Sequence, residues 1–465
     1  MSFDFPTNWR QLPLEDSLEA LIDYRGKTPQ KTDKGIPLVT AKVVKSGQIL
    51  PMSEFIADED YDSWMVRGFP QVGDIVITTE APLGEVAQIK DANVALAQRI
   101  VTLRGKNGVL NNDYLLFLMQ SHFIQDQLEA RATGSTVKGI KQSELRKIIL
   151  PLPPIEEQKK IGAILKSLDN KIQLNNQINQ TLESIAQAIF KSWFMDFEPV
   201  KAKIFAKQAS KDPELAAMCA ISGKSEAELE RMAQEDFREL QATAALFPDE
   251  FTDSELQGVP KGWKRTDISN VTTSIFSGGT PATKEPSFWN GEIPWLSSGE
   301  TRNKIIVSTE KFITKLGARD SSTKLSIYGD ILIASAGQGH TRGQTSFNAI
   351  ECYINQSIVV LRANDKISPY WLYYCLEPRY DEMRSLSDSH SSRGSLTTKL
   401  LASMPVILPT HELIDNFDKV VKFMVVQKIK NLREIKVLAD IRDSLLPKLL
   451  SGEIDVSALQ GVMHD

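Results

Sequence analysis

Residue types capable of covalent chemistry are present in this 465-residue chain, but not at the spacings such chemistry needs. Methyl transfer to adenine would require an Asn/Asp-Pro-Pro-aromatic string. The nearest strings, Leu152-Pro153-Pro154-Ile155 and Glu377-Pro378-Arg379-Tyr380, both fail it. A phosphate-cradling loop would need a glycine five residues before Gly223-Lys224-Ser225, and position 218 is methionine. Those three residues fit a turn before a helix cap instead. The five histidines are dispersed and no Cys/His group has zinc spacing, so no metal site is expected. The stretch Ala336-Gly337-Gln338-Gly339-His340-Thr341-Arg342-Gly343 lacks Gly-x-Gly-x-x-Gly and fits a long hairpin or recognition loop better than a nucleotide site. No catalytic set is expected.

The composition is that of a globular chain with more than one core: 42% hydrophobic and 24% charged residues. No run of about 18 apolar residues offers a membrane span. The N-terminal MSFDFPTNWR has no secretory pattern. Three scattered cysteines, Cys219, Cys352 and Cys375, fit a reducing compartment, and a cytoplasmic location is expected. The net charge of −5 lies wholly between Val200 and Glu255, which hold 12 acidic and 7 basic residues. The remainder is neutral and is free to place Lys and Arg on one face.

Whatever this chain binds must be positioned by its longest element. From Ile155 to Phe194 there is no proline and only one glycine, Gly162. Ile161, Leu165, Leu168, Ile172, Leu182 and Ile189 recur at helical spacing, with Asn175, Asn176 and Asn179 along the same seam. Roughly 40 helical residues make a rod of about 60 Å. Adding 256 to these numbers reaches a second such segment. Leu152-Pro153 maps to Leu408-Pro409, Ile161 to Phe417, Leu165 to Val421, Leu168 to Met424, Asn175 to Asn431, Leu182 to Leu438 and Ile189 to Leu445.

The duplication extends beyond the rods. Residues before each rod read as mixed α/β, with strands expected at 36–40, 74–78 and 98–103 and a helix at 112–130. Gly26-Lys27-Thr28-Pro29 resembles Gly278-Gly279-Thr280-Pro281, Gly73-Asp74-Ile75 matches Gly329-Asp330-Ile331, and Ala97-Gln98 resembles Asn355-Gln356. The expected order is a globule over 1–150, a long helix over 151–199, an acidic helical insertion over 200–256, a globule over 257–405, a second long helix over 406–450 and a tail over 451–465. Within the insertion, helices are expected at 213–222 and 225–245. Antiparallel pairing of the rods would place the globules at opposite ends about a pseudo-twofold axis.

These residues resemble a known family. Leu152-Pro153-Pro154-Ile155-Glu156-Glu157-Gln158 opening the rod, Ala188-Ile189-Phe190-Lys191-Ser192-Trp193-Phe194 at its end, and Leu246-Phe247-Pro248 with Gly258-Val259-Pro260-Lys261-Gly262-Trp263 resemble type I restriction–modification specificity subunits. So does the closing string from Asp443-Ser444-Leu445-Leu446-Pro447 to Ile454. The resemblance implies two α/β (α+β) target recognition domains, each reading half of a bipartite, asymmetric double-stranded DNA site, joined by an antiparallel coiled coil. It implies a non-catalytic chain. Two methyltransferase subunits and motor-nuclease subunits would bind it and use S-adenosylmethionine, ATP and Mg. The second proline gate, Leu408-Pro409-Thr410-His411-Glu412-Leu413, lacks the Glu-Glu-Gln of the first, so the two partner surfaces are expected to differ.

On that resemblance, the polar loops after the Gly-Asp-Ile strands are the candidate base readers: Thr78, Thr79 and Glu80, then Gln338, His340, Arg342 and Gln344. Lys138, Lys141, Arg393 and Lys399 are candidate phosphate contacts. The seam residues are the eleven apolar rod positions already named, from Ile161 to Leu445. Two other readings stay open here: a paired-rod adaptor without DNA, and a fragment or partner of a single-chain restriction–methylation enzyme.

Overall fold

The structure, a computed structural model, describes residues 5–26, 28–252, 258–337, 339–390 and 394–456. The chain forms two compact units, one from residues 1–174 and 435–465, the other from residues 175–434. Gln338 and Arg393 lie outside the described residues.

In the first unit a four-stranded antiparallel sheet runs Leu18–Asp23, Ile100–Gly105, Ile75–Thr79, Leu83–Gln88. The apolar run Ile75-Val76-Ile77 is continuous because both faces of this sheet are covered. Ile75 and Ile77 enter a core with the helix Asn112–Gln120. Val76 faces the opposite way, into a core shared with the strand Ile36–Val39. That strand pairs antiparallel with Phe55–Ile56 and parallel with Ala95–Leu96.

The second unit repeats the plan. Its main sheet runs Thr272–Ser277, Ile358–Ala363, Ile331–Ala334, Thr345–Asn348, Ile305–Ile306. Again alternate residues of one apolar run divide between two cores: Ile331 and Ile333 into one, Leu332 into the other. The strand Trp289–Leu296 pairs antiparallel with Lys311–Ile313 and parallel with Cys352–Ile354, as its counterpart does. Each unit also pairs its entry strand with the strand before its rod: Arg10–Pro13 with Ile149–Leu152, and Lys264–Asp267 with Pro405–Leu408.

Three expectations change. The helix expected over 112–130 is two, Asn112–Gln120 and His122–Arg131, because Ser121 is extended and its hydroxyl accepts from Ile124 N to cap the second. Among the described residues the insertion holds four helices, Glu198–Gln208, Pro213–Ser222, Glu226–Leu229 and Gln234–Ala245, so the span 225–245 is broken. Buried Lys203 ties it together by donating to Glu214 Oε1 at 2.7 Å and to the Phe247 carbonyl at 2.8 Å. The first rod is α-helical over Ile155–Phe190 and then widens into a π-turn, Lys191–Met195, which places Trp193 and Phe194 in the core beside Phe190.

The second rod is the helix His411–Ser451. Within the second unit the rods run antiparallel: Asn175 Nδ2 donates to Glu434 Oε2 at 3.0 Å, Asn431 Nδ2 to Asn179 Oδ1 at 2.9 Å, and Lys428 pairs with Glu183. In the first unit Arg442 Nη1 meets Asp169 Oδ1 at 2.8 Å. Ile161, Leu165, Ile172, Phe417 and Val421 are buried, while Leu168, Leu182, Met424, Leu438 and Leu445 are half-buried. Ile189 is also half-buried, and the fully buried positions there are Ala186 and Phe190. Asn175 and Asn179 are buried in the seam and Asn176 is exposed.

Candidate nucleic-acid interface

Three segments meet at the end of the Gly-Asp-Ile strand in each globule, held by corresponding backbone bonds. In the first, Thr79 N donates to Arg99 O at 3.0 Å and Ile140 N to Thr79 O at 3.0 Å. In the second, Ser335 N donates to Ser357 O and Leu396 N to Ser335 O, both at 2.8 Å. The matched Thr-Pro loops join the same edge. Gln98 Nε2 donates to Thr28 Oγ1 at 3.3 Å, and the Thr280 hydroxyl donates to Gln356 Oε1. Two frames 252 to 258 residues apart thus build one kind of polar edge twice.

What each edge exposes differs. In the first globule Glu80 pairs with Arg99 at 3.0 Å, an open ion pair of the kind that contributes little to stability and is easily exchanged for a ligand. Lys141 is exposed and has no ion-pair partner among the described residues; Lys138 is exposed and pairs with Glu129. Arg25 reaches the edge by donating to the Ile140 carbonyl at 2.8 Å. In the second globule His340 and Lys399 are exposed and Gln344 is half-buried.

Thr78, Thr79 and Arg342 are corrected by the structure. Thr78 and Thr79 are buried because the strand continues through them between its two neighbours. The Thr78 hydroxyl accepts from Glu85 N at 2.9 Å, and the Thr79 hydroxyl donates to Arg99 O at 3.3 Å. Arg342 is buried too, with its guanidinium on Asp388 Oδ1 at 2.5 Å and on the Gly394 carbonyl. All three are buried and bonded within their globules. Arg99 and Arg25 were not anticipated, although Arg99 directly follows the matched Ala97-Gln98 frame.

Exposed donors and acceptors on rigid strand ends can read hydrogen-bonding groups on a ligand. Among the described residues no group of three or more His, Cys, Asp or Glu could hold a metal ion, and no helix is long and apolar enough to cross a membrane.

The pattern described as the type I restriction modification DNA specificity domain matches twice, over residues 22–184 and 260–431. The chain belongs to this family. It is similar to the type I restriction enzyme HindI specificity subunit of Haemophilus influenzae, with 32% identity over 378 residues, covering 78% of this chain and 82% of that one. It is also similar to the MjaIX specificity subunit of Methanocaldococcus jannaschii, at 25% identity over 98% of this chain and 95% of that one. In fold it is similar to the crystal structure of a type I restriction–modification S subunit from M. genitalium, with a TM-score of 0.56 at 16% identity, covering 97% and 98% of the two chains. Specificity subunits are the non-catalytic, DNA-recognising components of type I complexes, and they act there with other subunits and DNA.

Proposed function

We propose that each globule reads one half of a bipartite, asymmetric duplex site through its strand-end edge, and that the paired helices set the unread spacer. Two methyltransferase subunits bind the chain and direct adenine methylation, and motor-nuclease subunits join them for restriction. S-adenosylmethionine, ATP and Mg belong to those partners. The reading places the complex in the cytoplasm, and the free thiols of Cys219, Cys352 and Cys375 fit a reducing compartment.

The observation that carries this reading is the twice-built edge. Equivalent backbone bonds hold equivalent strand ends, yet one edge carries Glu80, Arg99 and Lys141 and the other His340, Gln344 and Lys399. One scaffold with two chemistries is what an asymmetric two-part site requires. Mapping methylated adenine across the source genome, with and without this gene, tests the reading. Loss of one asymmetric bipartite motif is expected on deletion; an unchanged map in cells with active partner subunits would refute it.

A further inference from the structure

Each globule packs a helix at a glycine, in the first on the strand that leaves the strand-end connection and in the second within the connection itself. In the first, the helix His122–Arg131 approaches Gly84, whose φ is +86°, and a Cβ there would sit 2.5 Å from Gln125 Oε1. Gln125 Nε2 donates to the Gly84 carbonyl at 3.0 Å and to the Met119 carbonyl at 2.7 Å. In the second, the helix Tyr380–His390 approaches Gly343, whose φ is +88°, and a Cβ there would come within 3.3 Å of the Tyr380 ring. Both positive φ values favour glycine, and a Cβ at either position would press on the helix side chain.

The two connections need different support. Between Thr79 and Leu83 the chain has three residues to place; between Ala334 and Thr345 it has ten. A longer connection has more conformations to lose on binding. The second helix correspondingly supplies more bonds. Tyr380 Oη donates to the His340 carbonyl at 3.1 Å, and Arg384 Nη1 donates to the Gly339 carbonyl and to Tyr380 Oη. The Arg384 guanidinium lies 5.6 Å from the Tyr380 ring centre. Holding two consecutive carbonyls against the helix fixes the backbone at His340 while its side chain stays exposed.

We propose that these helices are braces for base reading: Gln125 is a positioning residue for the half-site read by the first globule, and Tyr380 with Arg384 for the half-site read by the second. Gln125 acts through the strand that leaves the first connection, Tyr380 and Arg384 act through the backbone of the second, and none touches a base. The proposal rests on the reading that the strand-end edges face DNA.

The test uses the assembled methyltransferase complex and a duplex carrying the site found by methylation mapping, with every single-base change in both half-sites. The variants are Gln125→Leu, Tyr380→Phe and Tyr380→Phe/Arg384→Met; Tyr380→Phe removes only a hydroxyl, so folding is retained. Discrimination against wrong bases is expected to fall about tenfold at one half-site only, and Gln125→Leu and the Tyr380 variants should affect opposite half-sites. The slope of affinity against salt should stay as in the parent complex. A slope reduced by about one for Tyr380→Phe/Arg384→Met but not for Tyr380→Phe would instead make Arg384 a phosphate contact. Equal loss at both half-sites, or weaker binding with discrimination intact, would also overturn the proposal. If the parent complex shows no sequence preference, the DNA-reading assignment itself has failed, and the brace is not what was refuted.

Discussion

Asp74 and Arg104 form a bidentate pair, with Nε on Oδ1 and Nη2 on Oδ2, both at 2.8 Å. Asp330 and Arg362 repeat it at 2.7 and 2.8 Å. In both globules the carboxylate follows the glycine that turns into the central strand, and the arginine comes from the adjacent strand. Both aspartates are 1% exposed, so the guanidinium is what makes a buried negative charge tolerable there.

The two copies should not be equally sensitive. Without Arg104, Asp74 keeps one described hydrogen bond, from Gln71 N at 2.8 Å. Without Arg362, Asp330 keeps two, from the Ser326 hydroxyl at 3.0 Å and Ile327 N at 2.9 Å, and the lost arginine was itself more exposed. Arg104→Met is therefore expected to cost about 3–5 kcal/mol, the range for orphaning a buried charge. Arg362→Met should cost about 1–3 kcal/mol. Denaturant titration of the two variants checks the order, and a larger loss for Arg362→Met would contradict it.

The polar seam gives a prediction of opposite sign for one and for two substitutions. Asn431 bridges Asn179 and Gln427, while Asn179 Nδ2 has no partner in the interior. Asn431→Leu alone strands the Asn179 amide and should cost about 1–3 kcal/mol. Replacing both asparagines by leucine removes the buried amide pair, and half-buried Gln427 can turn to water, so the double variant should be at least as stable as the parent. Melting temperatures of the three proteins decide this; a double variant weaker than the single one would show that the amides stabilise the seam.

The parts legible in the sequence were those governed by local rules or by repetition. Gly73-Asp74-Ile75 and Gly329-Asp330-Ile331 carry their own turn and strand, with both glycines at positive φ, so matching them aligned two whole sheets. Thr78 and Thr79 were misplaced because nothing local distinguishes a polar strand end from a polar loop. Their burial comes from Glu85, Arg99 and Ile140, the last of them 61 residues from Thr79. Arg342 looked free in a glycine-rich stretch, whereas Asp388 lies 46 residues on. Ser121 was readable: a serine before His122-Phe123-Ile124 is a cap, but the apolar period ran across it. Ile189 gave way to Phe190 because Phe190 lies one α-helical turn after buried Ala186, a choice that steps of three and four leave open.

Asp418, on the second rod, should make stability depend on pH in the less usual direction. Burial pushes its carboxyl up to about 6, against the Ser368 hydroxyl, which donates to Oδ1 at 2.6 Å. Asp415 also raises it, and Lys422 and His411 oppose the rise. The native state thus keeps a proton that the unfolded chain releases near its ordinary value of 3.8. Between pH of about 4 and about 6 this group's contribution falls as pH rises. Asp418→Asn keeps an acceptor for Ser368 and removes the titration. Its melting temperature relative to the parent should climb across that window and stay higher at pH 7. A difference that is flat with pH would exclude Asp418 as the source.

Lys141 directly follows Ile140, and Lys399 comes three residues after Leu396, the residues that bond each strand end; each lysine is exposed without an ion-pair partner among the described residues. Lys138 differs because Glu129 already holds it. A lysine free in the unbound protein can neutralise a phosphate without first breaking an internal pair. Lys141→Gln and Lys399→Gln should therefore each weaken duplex binding by the assembled complex for cognate and unrelated sequences alike, and each should lower the salt slope by about one. Lys138→Gln should change the slope less, since releasing Glu129 offsets part of the gain. A loss confined to the cognate sequence would instead make either lysine a base reader, and unchanged binding for both would move the phosphate path away from these edges.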